Sequence, residues 1–325
     1  MNQKIQSLSF IFACMVTLIH LTSFGPNDFV IYSASWWFYS IICHGAAMIA
    51  VPFFFFVSGY FLARHDVDKW LNGEHRTEIL KRCKSLLIPM VIWGIFWWVV
   101  VIRFRSSPLD CIGMCLSIPR YGPLWYLRAL FLFVCLSPLL LWLSKRKLVL
   151  VFLFAISVVY PLIVPDGFLF KFFRYFVSPL GAFYFALGMG VQRRYYSFRL
   201  NKCVGVFTLF AGFAVLILKC LQIKCHHFTT VISIIATPFF LYGLWALVPP
   251  FAIPNWLNGT SMLIYLGHEF VIYVIFVVMR FLGLTNADFI VYVLNAILVI
   301  GLSVACAVIM RSKFPNISRI LTGGR

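Results

Sequence analysis

Ten apolar stretches, each long enough to cross a bilayer as a helix and separated by short joints rich in Lys, Arg, Pro or Gly, are written into this chain. They fall near residues 7–25, 36–63, 85–102, 122–143, 148–164, 169–191, 203–221, 228–248, 259–282 and 288–310. A spanning helix needs about 20 apolar residues, and lipid offers the backbone no hydrogen-bonding partner, so each stretch must satisfy its own N–H and C=O groups as a helix. The expected fold class is all-α: a polytopic membrane helix bundle with about ten transmembrane helices. The composition excludes a water-soluble globule, because 62% of the 325 residues are hydrophobic and only 11% are charged, against about 45–50% apolar in soluble domains. The segment 106–118 is too short to span and carries Pro108 and Gly113, which suits a re-entrant or surface helix. No stretch resembles a soluble domain, so residues 1–325 are expected to form one membrane domain ending in a short basic tail at 311–325.

Orientation follows from the basic residues, since loops rich in Lys and Arg resist translocation. Joints on one side hold Lys4, the group from Arg64 to Lys84, Lys145 to Lys147, Arg193 to Lys202, and the tail from Arg311 to Arg325, 18 basic residues in all against 8 on the other side. Both termini are therefore expected to be cytoplasmic. The formal net charge of +18 would suggest nucleic acid in a soluble protein. Here it orients the chain and attracts anionic lipid, and no nucleic-acid partner is expected. The ten Cys form no CxxC pair and read as small buried hydrophobes, with Cys111–Cys115 and Cys220–Cys225 the pairs that a disulfide would join in outer joints. The first apolar stretch lacks a small-residue cleavage site and reads as a retained span.

Ionisable side chains inside spans are expensive and mark candidate sites. They are few: His20 in the first stretch, His44 in the second, Arg128 in Gly122-Pro-Leu-Trp-Tyr-Leu-Arg128, and His268 with Glu269 in the ninth. The bland alternatives are a histidine hydrogen-bonded to a neighbouring helix and an arginine that reaches back to the interface. Cys225-His226-His227 has no third partner at metal-ligand spacing, so no metal site is expected. Ser58-Gly59-Tyr60 closes the second stretch, and its Gly suits close approach of a ligand or of another helix. Lys81-Arg82-Cys83-Lys84 suits either phosphate groups or anionic lipid.

Together these pieces resemble the acyltransferase 3 family, bacterial membrane enzymes that O-acylate surface polysaccharides and glycolipids. The resemblance runs along nearly the whole chain. It rests on Ile5-Gln-Ser-Leu8, Phe10-Ile-Phe-Ala13 and His20; on Phe53-Phe-Phe-Phe-Val-Ser-Gly-Tyr60; on Lys81-Arg82-Cys-Lys-Ser-Leu-Leu-Ile-Pro89; on Gly122-Pro-Leu-Trp-Tyr-Leu-Arg128; on Leu187-Gly-Met189; and on Ile264-Tyr265 with His268-Glu269. Family members usually carry a basic residue eleven positions before the first-span His. Here that position is Ser9, the family's Asp just before it is replaced by Gln6, and the residue after Arg128, acidic in many relatives, is Ala129.

The resemblance implies an integral protein of the bacterial inner membrane. It would move an acyl group, acetyl by family default, from acetyl-CoA as co-substrate, with no bound cofactor, to a hydroxyl of a surface polysaccharide, lipid-linked sugar or glycolipid. Acyl transfer needs a base, donors for the oxyanion and a clamp for the donor's phosphates. His20 is the expected base, its tautomer fixed by Ser9, Tyr265 or His268. Arg64, Arg82 and Lys84, with Ser58 and Gly59, are the expected acyl-CoA site. Trp125, Tyr126, Arg128, Glu269 and His44 are expected to face the acceptor. The competing readings are an exporter of an amphipathic or lipid-linked solute and a non-catalytic member of the same family. A transferase binds CoA, whereas a transporter need not.

Overall fold

The computed structural model describes residues 2–21, 30–64, 76–102, 122–164, 167–196, 201–221, 226–284 and 288–324. All regular structure among them is helical. In chain order the helices are α1 (Asn2–Ile19), α2 (Ala34–Trp37), α3 (Ala50–Leu62), α4 (Arg76–Trp97), α5 (Leu124–Cys135), α6 (Ser137–Ser144), α7 (Lys147–Ile163), α8 (Phe168–Lys171), α9 (Pro179–Gln192), α10 (Lys202–Leu221), α11 (His226–Leu247), α12 (Ser261–Phe281), α13 (Phe289–Lys313) and α14 (Pro315–Thr322). Among the described residues, five helical stretches are long and apolar enough to cross a membrane, or six if the bent pair α5–α6 counts as one; α1, α7 and α10 are shorter apolar helices. Many large apolar side chains on their outer faces are exposed, among them Leu148, Phe207 and Phe281. Lipid is the medium that accommodates such faces.

The helices divide into two compact units. The first comprises residues 1–50 and 200–318, and the second residues 51–199 and 319–325. In the first, α10 packs along α11, and α12 packs against both α1 and α13. Gly205 and Gly243 let α10 and α11 approach closely, since a Cβ on Gly243 would stand 2.9 Å from the Gly205 carbonyl. A buried cluster of Leu21, Cys43, Ile272, Tyr292, Ala296 and Val299 fills this unit. Side chains supply the helix starts: Asn201 Oδ1 accepts from Cys203 N at 2.8 Å, and Asp288 Oδ1 accepts from Ile290 N at 2.8 Å and Val291 N at 3.1 Å. These bonds satisfy N–H groups that an α-helix leaves without partners. Asp288→Ala is expected to destabilise the protein by about 0.5–2 kcal/mol, read as a lower midpoint in thermal unfolding of the detergent-solubilised chain.

In the second unit α4 packs on α5, and α7 and α6 pack on α9. Gly59 of α3 sits against the Phe185 backbone, and Gly188 of α9 sits against the Phe56 backbone, so two bare glycines bring α3 and α9 into backbone contact. The end of the chain packs on α4: Trp93 Nε1 donates to the Leu321 carbonyl at 3.0 Å, and Gly323, at φ +68°, rests on the Ser85 backbone. The residues expected as a basic tail thus complete α13 and form α14.

Three of the apolar stretches are broken, each for a local reason. In the second, a π-turn at Phe38–Cys43 ends at His44, and a 3-10 turn at Ala46–Ile49 follows Gly45, whose missing Cβ leaves room for the Ile41 carbonyl. In the fourth, α5 and α6 meet at 76°. Pro138 has no N–H to return to Val134, and the Ser137 hydroxyl donates to that carbonyl instead. In the sixth, a π-turn at Phe172–Val177 ends at Ser178, whose left-handed backbone (φ +43°) turns the chain into Pro179 and α9.

Candidate active site

In the first unit, α12 buries a stripe of Leu263, Ile264, Tyr265, Leu266, His268, Glu269 and Ile272. Residues spaced by three and four share a helix face, and α12 packs on α1, which delivers His20 one residue past its last turn. His20 Nδ1 lies 3.1 Å from Glu269 Oε1; the side chains are 21% and 4% exposed respectively. A nitrogen facing a carboxylate oxygen carries the proton, so the Nδ1–H of His20 donates to Glu269, leaving Nε2 with the lone pair.

His268 is fully buried beside this pair, its ring centroid 5.1 Å from that of His20. Its Nδ1–H donates to the carbonyls of Tyr265 at 2.8 Å and Ile264 at 3.2 Å, and its Nε2 is buried with no hydrogen-bond partner among the described residues. One donor atom from each of His20, His268 and Glu269 lies within 4.8 Å of the others. Glu269, expected on the acceptor side, therefore stands against His20 Nδ1, where Ser9, Tyr265 or His268 is expected. Ser9 Oγ instead donates to the Ile5 carbonyl at 2.7 Å, about 16 Å along α1 from His20 at ~1.5 Å per residue. Tyr265 contributes its backbone carbonyl to His268, and its ring lies 6.4 Å from the His268 ring. The Lys4 ammonium, near the start of α1, sits over the Trp245 ring at 5.6 Å. His44 ends the π-turn with its ring 4.5 Å from that of Tyr39.

The second unit holds the expected cationic residues. Ser58, Phe61, Arg64, Arg82, Leu130 and Val134 line a cavity of about 390 Å³, within the size range of small-molecule sites. The Arg64 guanidinium lies over the rings of Tyr60 at 5.2 Å and Phe61 at 4.5 Å. Lys84 is exposed on α4 and is not among the described residues of the lining, while Gly59 serves the α3–α9 contact. Tyr126 OH and Ser58 Oγ share a hydrogen bond of 3.2 Å, which links two motifs that are far apart in sequence. Trp125 packs edge-on to Tyr175. Arg128 is buried, donates from Nη2 to the Tyr175 carbonyl at 2.8 Å and lies over the Phe176 ring, so it holds the π-turn that precedes Ser178.

The remaining expectations at 106–118 and at Cys111, Cys115 and Cys225, with the side chains of Cys220, His226 and His227, lie outside the described residues. The feature that sequence reasoning assigned elsewhere is the pairing of Glu269 with His20. Its only signal was a second ionisable residue directly after His268 in an otherwise apolar helix.

Apolar helices with outward-facing Phe and Leu, holding a half-buried histidine against a buried glutamate, define an integral membrane protein. The family described as an acyltransferase domain, Acyl_transf_3, matches residues 3–311, and the chain belongs to that acyltransferase 3 family. Comparisons with curated proteins and with solved structures give no match.

Proposed function

We propose that this chain transfers an acyl group, acetyl first among candidates, from acyl-CoA to a hydroxyl of a cell-surface polysaccharide, lipid-linked sugar or glycolipid, with His20 as general base. The observation that carries the reading is the His20 Nδ1–Glu269 Oε1 bond of 3.1 Å. With Nδ1–H held by a carboxylate, Nε2 is the basic atom, and Glu269 stabilises the imidazolium that forms once Nε2 takes the acceptor's hydroxyl proton. The acceptor oxygen attacks the thioester carbonyl, the C–S bond breaks, and the imidazolium returns the proton to the departing thiolate. His268 contributes a second imidazole lone pair beside the reacting oxygen. Arg64 and Arg82 bind the donor's phosphates by charge-assisted hydrogen bonds. Trp125 and Tyr126 belong to the acceptor side. The same reading carries ten crossings, both termini on the cytoplasmic side, and residence in a bacterial inner membrane.

Membrane vesicles containing the chain and supplied with radiolabelled acetyl-CoA are expected to yield hydroxylamine-labile label in the glycan or lipid fraction. Absence of such ester from acetyl-CoA and from longer acyl-CoA donors overturns the reading. Arg64→Ala and Arg82→Ala are each expected to weaken acetyl-CoA binding about tenfold, in line with the loss of one charge-assisted hydrogen bond, with a loss that shrinks at high salt. Titration calorimetry of the detergent-purified protein measures this, and unchanged affinity in both variants removes these residues from the donor site.

A further inference from the structure

We infer that His20, His268 and Glu269 form a binding site for a divalent transition metal of the zinc class, and that its occupancy blocks acyl transfer. The donor set is two imidazoles and one carboxylate, a combination that holds zinc through three protein ligands and leaves a fourth position open. His268 points to a ligand most directly: its Nε2 is fully buried without a hydrogen-bond partner among the described residues, while its Nδ1–H is committed to the Tyr265 carbonyl at 2.8 Å. A ring nitrogen anchored on a backbone carbonyl with its opposite lone pair free is the arrangement that orients metal-binding histidines. Leaving such an acceptor buried and unmatched is costly, and a bound cation recovers that cost.

The distances are compatible with small adjustments. Donors bound tetrahedrally to zinc at about 2.0–2.1 Å lie roughly 3.3 Å apart. The His20–Glu269 separation is 3.1 Å, and all three donor atoms lie within 4.8 Å of one another, so His268 closes the triad by moving about 1.5 Å or less. His20, with its side chain 21% exposed, provides the entry. A metal here takes the place of the proton between His20 and Glu269, the ring proton passes to Nε2, and binding weakens as pH falls because protons compete for the same ligand atoms. Metal bound to His20 and Glu269 breaks their hydrogen bond and removes the arrangement that makes His20 a base, which is how occupancy stops transfer. The inhibitory half of the inference rests on His20 being that base, whereas the binding half does not.

The experiment is titration of the chelator-stripped, detergent-purified protein with Co²⁺ and with Zn²⁺. Expected results are one Co²⁺ per chain with the intense visible absorption of a tetrahedral site, its displacement by Zn²⁺, and at least tenfold weaker binding in His268→Gln and Glu269→Gln. Asp288→Asn, remote from the site in sequence and engaged in capping α13, serves as the control and should bind as wild type. Folding of each variant is followed by thermal unfolding; should His268→Gln fail to fold, Glu269→Gln with the wild-type spectrum decides. No stoichiometric binding, an octahedral spectrum, or binding unchanged in Glu269→Gln overturns the metal site and leaves the acyl-transfer reading intact. Stoichiometric binding with no loss of labelled ester at saturating Zn²⁺ overturns the inhibition. Wild-type ester formation by His20→Ala instead counts against the base.

Discussion

Membranes carrying His20→Ala should form acyl ester about 10²- to 10⁴-fold more slowly than wild type, the range lost when a positioned general base is removed. Insertion should be unaffected, because His20 sits at the end of α1 with a side chain 21% exposed, and its replacement opens no large void in the packed stripe of α12. Glu269→Gln tests the other half of the pair. The amide oxygen can still accept from Nδ1, but the charge that stabilises the imidazolium is gone, so a loss of about 10- to 100-fold is expected. The double variant separates positioning from independent catalysis. If Glu269 acts through His20, His20→Ala with Glu269→Gln is no slower than His20→Ala alone. Rates are read as hydroxylamine-labile ester per amount of inserted protein. Wild-type rates in His20→Ala would reject the base, and additive losses would give Glu269 a separate role.

The second large effect is on stability. At Gly59 a Cβ would fall onto the Phe185 carbonyl, and at Gly188 onto the Phe56 carbonyl, in each case against backbone that no rotamer change can move aside. Overpacking of this kind costs about 1–3 kcal/mol even for one methyl group, so Gly59→Ala and Gly188→Ala should each lower the midpoint of thermal unfolding. Gly59→Leu should leave little folded protein. Gly301, in the interior of α13 with nothing near its missing Cβ, supplies the opposite case. There Ala removes only the conformational freedom of glycine and should stabilise by about 0.5–1 kcal/mol. Equal shifts at Gly59 and Gly301 would show that α3 and α9 do not touch as described.

Hydropathy sums over a window, and that explains both what could be read from the sequence and what could not. The apolar stretches predicted helices, and helices stand in each of them, because length and apolarity are local properties. The breaks at Gly45, Leu136 and Ser178 depend on single residues whose apolar neighbours hide them from any average. At the site, His20, His268 and Glu269 were each conspicuous as ionisable groups in apolar helices. Which of them meet was not legible, since that depends on how α12 is rotated against α1. Ser9 shows the limit from the other side. Its hydroxyl, chosen for a role at His20, is used within its own helix by the Ile5 carbonyl, as Ser and Thr often are in apolar helices. Arg64 and Arg82 share both charge and a cavity, while Lys84, on the same helix as Arg82, is exposed and not among the lining residues.

The hydrogen bond from His268 Nδ1 to the Tyr265 carbonyl has an electrical consequence. Neighbouring imidazoles within a bilayer invite proton hopping, in which each ring accepts on one nitrogen and releases from the other. A backbone carbonyl has no proton to pass on and no useful basicity, so a hop reaching His268 finds no onward route through that ring. The side-by-side imidazoles of His20 and His268 therefore end at that carbonyl instead of opening a longer chain of rings through the bundle.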